Sequence, residues 1–174
     1  MDIYPGVSGI HVVYNPARQA GLIDEAREFL KDKGIALNAV EAGNLREAAL
    51  GYREVISAAE DGDAVWLFSD ASVIDGSLLG LILDAAWKKR LAVFSSNPLF
   101  VRRGALFAIY PDNIGIGYRL GTMAMQIAVG KFDEGGIQYL KDVKIAFNER
   151  TSNHIGIKLS PDVEQDIEMM LPEL

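Results

Sequence analysis

The sequence predicts a three-layer α/β domain built on a doubly wound parallel sheet, a Rossmann-like arrangement. Two observations carry that expectation. Short apolar runs alternate along the chain with segments of helical period. Those runs are also almost continuously apolar, His11 and Asn38 apart, as strands are when helices cover both faces of a parallel sheet.

Ile10 to Tyr14 reads as the first strand, and Leu22, Ile23, Ala26, Phe29 and Leu30 then recur at helical spacing until Lys33-Gly34 closes the helix. Ile35 to Val40 is a second strand. Leu45, Ala48, Ala49, Tyr52, Val55 and Ile56 mark the apolar face of a second helix. Asp61-Gly62-Asp63 is a turn, and Ala64 to Phe68 a third strand. A third helix follows on Leu78, Leu79, Ile82, Leu83 and Ala86, closed by Lys88, Lys89 and Arg90, whose charge suits the negative end of a helix dipole. Leu91 to Phe94 is the fourth strand, and Ala105 to Tyr110 a short fifth one before a turn at Pro111-Asp112-Asn113. Ile114 to Val129 is a helix expected to turn Leu120, Met123 and Ile127 inward. Val143 to Phe147 is another strand, Asp162 to Met170 a terminal helix capped by Ser160, and Gly135-Gly136 a flexible joint. Trp66 and Trp87 fall on apolar faces and are expected in the core.

Composition narrows the function. The chain has 174 residues, 49% of them hydrophobic, and a formal net charge of −7, so it offers no basic stripe for nucleic acid. With no Cys, a disulfide framework and a thiolate metal site are excluded. No apolar stretch approaches the ~20 residues that span a bilayer, and MDIYPGVSG lacks the basic and apolar regions of a signal peptide.

In open parallel sheets, ligands bind beyond the carboxyl ends of the strands. Here those ends read Tyr14-Asn15-Pro16, Ser69-Asp70-Ala71-Ser72 and Ser95-Ser96-Asn97-Pro98. Together they describe a polar rim of Tyr14, Asn15, Asp70, Ala71, Ser72, Ser95, Ser96 and Asn97. Ser, Asp and Asn after a strand also describe helix N-caps, and each of these residues has that second reading. Asp70 stands apart because Ser72 or Asp75 could cap the following helix, leaving Asp70 free to meet a ligand ammonium.

No catalytic constellation emerges. The glycines of Gly115 to Gly121 miss dinucleotide spacing by one residue, and GxxxxGK[ST] is absent. Asn15-Pro16-Ala17 is neither a phosphate-cradling glycine turn nor the acidic pair of a phosphoacceptor domain, which argues against a Rossmann-like enzyme. His11 lies inside a strand and His154 in a late loop, with no Ser/Asp partner at catalytic spacing. The residue types favour binding over catalysis and require no cofactor or metal.

Four stretches in order carry a family resemblance. IYPGVSGIHVVYNPARQAG, FSDASVIDGSL, LAVFSSNPLFVRRGALFAIYPDNIGIGYRLGTMAMQIAVGK and VKIAFNERTSNHIGI resemble successive landmarks of the solute-binding proteins of ABC transporters. The group is the periplasmic-binding-protein-like type I group that includes tryptophan- and tyrosine-uptake binding proteins. The last of the four stretches resembles that family's last strand and the Asn and Gly after it, here Asn148 and Gly156. The resemblance covers the second half of a typical member. It implies a non-catalytic lobe that closes with a partner lobe on a small molecule such as an amino acid. It implies an ABC permease as partner and an extracytoplasmic location, although the missing signal peptide leaves the cytoplasm open. Residues 1–111 would form the ligand-binding lobe, 112–135 a helix that packs on the absent first lobe, and 136–174 the returning strand and C-terminal helix. Asp70 matches the family position that faces a ligand amino group. The family tends to Asp-Asn-Thr where this chain has Asp70-Ala71-Ser72, and often has an acidic or polar residue where this chain has Ser95-Ser96-Asn97.

A micromolar clamp is worth roughly 8 kcal/mol, so half of it would bind at about millimolar strength. The helix at 114–129, deprived of its lobe, would seek another surface. A homodimer is therefore expected, with exchange of this helix between chains as one way to form it. The alternative is a dimerising interaction or sensor domain that kept the fold without the ligand.

Overall fold

The structure is a computed structural model that describes residues 3–4, 6–131 and 141–172. The elements run β1 (Gly9–Tyr14), α1 (Pro16–Lys31), β2 (Ala36–Glu41), α2 (Leu45–Ala58), β3 (Ala64–Leu67), α3 (Gly76–Lys89), β4 (Ala92–Ser95), α4 (Pro98–Arg102) and β5 (Phe107–Pro111). They continue with α5 (Asn113–Ala128), β6 (Val143–Asn148), α6 (Glu149–Ile155), α7 (Pro161–Gln165) and β7 (Ile167–Leu171). One seven-stranded sheet has the order β2-β1-β3-β4-β5-β6-β7. Every pairing is parallel except β5 with β6.

The unbroken apolar runs are explained by two-sided burial. Val12 and Val13 are successive residues of β1, so they point to opposite faces, and both are fully buried. Val13, Val65 and Val93 join α2 and α3 in one apolar layer. Val12 and Tyr14 join Ile23 of α1 and Phe68 in the other. Gly51 permits the close seating of α2, because a Cβ there would lie 3.0 Å from Val40 and 3.3 Å from Val13.

The second half departs from the expected pattern in three ways. The segment at 162–170 is not one helix: α7 stops at Gln165, with Ser160 capping it as expected, and Ile167–Leu171 adds to the sheet beside β6. The main-chain groups of 167–171 that face β6 are taken up by that pairing, and Leu171 is buried. The sheet is also mixed, because the chain leaves β5 through α5 and re-enters beside it, with the Asp112 N–H bonded to the Asp142 carbonyl. Finally, α5 contains no buried residue. Leu120 and Ile127 are 59% and 60% exposed, and Met123 is only half-buried, so none of the three is turned inward among the described residues. Gly135-Gly136 lies outside the described residues.

Trp66 is half-buried and stacks with Phe94 at 6.0 Å. Trp87 is exposed rather than core. One of its faces carries His154 at 3.6 Å, and the Arg150 guanidinium lies 5.6 Å from its ring. This polar stack compensates for its exposure.

Candidate functional site

The carboxyl ends of β1, β3 and β4 sit side by side because those strands are neighbours in the sheet. The residues just beyond each strand decide the chemistry there. After β1, Asn15 is extended and its Oδ1 accepts the Ala17 N–H at 3.0 Å, with Pro16 at the first helical position. The opposite end of the same amide donates from Nδ2 to Ser72 Oγ at 3.0 Å. Asn15 is therefore both a cap and a bridge between two strand ends.

Asp70 stands at the centre. It is only 6% exposed. Its Oδ1 accepts from the Ser72 N–H (2.9 Å), Ser72 Oγ (2.8 Å) and Arg18 Nη1 (3.2 Å), and its Oδ2 accepts from Gln19 Nε2 (2.8 Å). Burial on its own would raise this carboxyl. The bonds from Gln19 and Ser72 and the Arg18 charge outweigh it and hold the group below the ordinary carboxylate range. Asp75, not Asp70 or Ser72, caps α3, accepting from Ser77 and Leu78.

A second bridge joins β3 and β4. Asn97 Nδ2 donates to Ser69 Oγ at 3.0 Å while its Oδ1 caps α4 on the Leu99 N–H. Ser95 is buried and donates to the Leu67 carbonyl at 2.8 Å. Ala71 and Ser96 lie on the rim, Ala71 and Ser96 both more accessible than Asp70. Tyr14 points to the α1 side, where its hydroxyl donates to Glu41 Oε1 at 3.0 Å. Burial first, and that carboxylate second, push the Tyr14 phenol up.

The structure thus gathers Asn15, Asp70 and Ser72 into one network and places Ser96, Asn97 and Ala71 beside it. Ser95 and Tyr14 are committed internally. Sequence reading missed Arg18 and Gln19, although their positions three and four residues after a capping Asn put both in the first turn of α1. It also missed α4, which walls a hollow of about 380 Å³ lined by Ser69, Asp70, Ala71, Ile74, Leu99 and Phe100 among others. A larger apolar groove of about 580 Å³ lies between α2 and α3, away from the strand ends. Among the described residues no cluster of His, Cys, Asp or Glu could hold a metal ion. No helix among them is long and apolar enough to cross a membrane.

A mostly parallel sheet, helices on both faces and polar groups converging at the strand ends define a periplasmic-binding-protein-like domain. The sequence model for the ABC transporter substrate binding protein family matches residues 1–167. The chain belongs to that family. Solved structures agree on the fold. A conserved domain protein from Vibrio cholerae shares 22% identity at a TM-score of 0.71. An ABC domain in complex with L-Trp from Streptococcus pneumoniae shares 17% at 0.71. An open, ligand-free substrate-binding protein with adhesive properties from Clostridium difficile shares 19% at 0.72. Each comparison covers 97% of this chain but only 56–57% of the other, so the chain spans little more than half the length of these proteins. No curated protein matches the chain.

Proposed function

We propose that this chain is the non-catalytic, solute-binding lobe of an ABC-transporter-type substrate-binding protein, holding a small molecule such as an amino acid at the carboxyl ends of its strands. The observation that carries the reading is the joining of three strand ends by side chains: Asn15 to Ser72 to Asp70, and Asn97 to Ser69. These bonds fix polar groups around a hollow with an apolar wall, the common make-up of a small-molecule site. Family membership supports it, as does the L-Trp bound in the Streptococcus pneumoniae relative. The same membership supports an ABC permease as partner and an extracytoplasmic location. Residues 1–111 form the lobe in this reading, 112–135 the helix that packs on a partner lobe, and 136–174 the returning segment.

Thermal shift and NMR titration against a panel of amino acids, run to tens of millimolar, test the proposal. Millimolar binding with perturbations at the strand ends is the expected result. Absence of any response across the panel would refute it.

A dimerising role is the second reading, favoured by α5. Its apolar side chains Ile114, Tyr118, Leu120, Met125 and Ile127 are all exposed. Light scattering on a size-exclusion column decides this one: a mass of two chains is expected, and a monomer at tens of micromolar would contradict it.

A further inference from the structure

Resting on the solute-binding reading above, we infer that Arg18, and not Asp70, is the ionic contact for the ligand, and that the site takes a small molecule with a carboxylate on an apolar body. An ionised carboxylate has two oxygens and about four acceptor positions. Those of Asp70 already receive four hydrogen bonds from within the chain. Three of them fall on Oδ1 and one on Oδ2, and the side chain is only 5% exposed, so an incoming ammonium has little access to what remains of Oδ2.

Arg18 presents the opposite case. A guanidinium carries five N–H donors, and among the described residues this one spends a single donor, on Asp70. Its side chain is 63% exposed. Arg27 is exposed too, but its carboxylate partner Asp24 is likewise in solvent. Here the guanidinium is tethered to a buried carboxylate at the middle of the strand-end rim. The negative partner is buried under four hydrogen bonds, while the positive partner faces solvent and makes no further bond among the described residues. A planar fork of this kind fits a carboxylate bidentately. The surroundings agree: the first turn of α1 has no acidic residue, and the positive end of that helix favours an anion. Arg18 meets the neighbouring hollow only through Asp70, which lines it together with Arg103, Ile74, Leu99 and Phe100, and the last three suit the apolar part of such a molecule. Asp70 is then a positioning residue, acting on the ligand through Arg18.

Three matched probes separate the charges: L-tryptophan, indole-3-propionate (carboxylate without amine) and tryptamine (amine without carboxylate). NMR titration of the whole chain should give comparable affinities for the first two and at least tenfold weaker binding of tryptamine. Arg18→Gln, at an exposed position, should weaken indole-3-propionate at least tenfold with the spectrum otherwise preserved. Arg18→Lys should recover part of that loss. Asp70→Asn should narrow the preference for indole-3-propionate over tryptamine. Tryptamine binding as well as indole-3-propionate, or Arg18→Gln binding as well as the parent chain, overturns this inference and leaves the solute-binding reading standing. No binding of any of the three by the parent chain overturns both.

Discussion

Two buried aspartates flank β3, and they are put to different uses. Asp63 precedes the strand. It accepts from His11 Nε2 and the Glu60 N–H at 2.9 Å on one oxygen and from Ser8 Oγ at 2.9 Å on the other. His11 is 2% exposed, and the backbone closes over the pair so tightly that a Cβ at Gly9 would lie 2.6 Å from the Asp63 carboxylate. Asp70 comes after the strand, is buried to a similar degree and accepts at least as many bonds. One of its partners, Arg18, stands in solvent. The first aspartate closes a structural joint. The second fastens an outward-facing cation at the edge where ligands of such sheets bind. Burial and a lowered carboxyl therefore do not identify a functional site by themselves; the exposure of the partner separates the two.

Removing Asp63 should do the greatest damage. Asp63→Ala leaves His11 buried without its acceptor, and breaking a buried pair costs about 3 kcal/mol or more. The urea midpoint should fall accordingly, and an unchanged midpoint would show that the joint is not structural. Asp70→Ala deletes four bonds, but Arg18 can return to water. Its loss should be about 2 kcal/mol in the same measurement.

Acid provides the third comparison. Both carboxyls lie below their ordinary range in the folded chain, whereas an unfolded Asp titrates near ~3.9. The unfolded chain therefore takes up protons first as the pH drops. The stabilisation from each carboxylate is complete above the unfolded value and disappears as pH falls through the folded one. Asp63→Asn and Asp70→Asn should each flatten the fall in stability between roughly pH 5 and 2, measured by urea unfolding at a series of pH values. The smallest effect belongs to Arg18→Gln. An ion pair with one partner so exposed is worth no more than about 1 kcal/mol, so stability should barely move while carboxylate binding is lost.

Much of the first half was legible in sequence because β1, β3 and β4 are buried on both faces and its helices on one. Helix α1 nevertheless begins at Pro16, well before the periodic residues from Leu22. The Asn-Pro step that starts it, and the second Asn-Pro that starts α4, are the cap followed by Pro at the first helical position; read first as a polar rim and only second as caps, they did not place either helix start. Arg18 and Gln19 went unnoticed with them. Their partner Asp70 is 52 and 51 residues away in the chain, and no local pattern reports such a distance. The second half was harder for a different reason. Helix α5 is apolar around much of its circumference, so periodicity could not show that it has no buried residue among the described ones. Ile167–Leu171 has too little alternation to read as a strand, and its pairing with β6 decides its conformation.

A ligand site at the ends of β1, β3 and β4 is the feature on which the functional reading depends. The most direct test maps the amide shifts of the whole chain on titration with indole-3-propionate. The structure predicts that they concentrate at Asn15, Arg18, Asp70, Ser72 and the start of α4. Shifts confined to the groove between α2 and α3, or centred on His11 and Asp63 at the opposite edge, would contradict it.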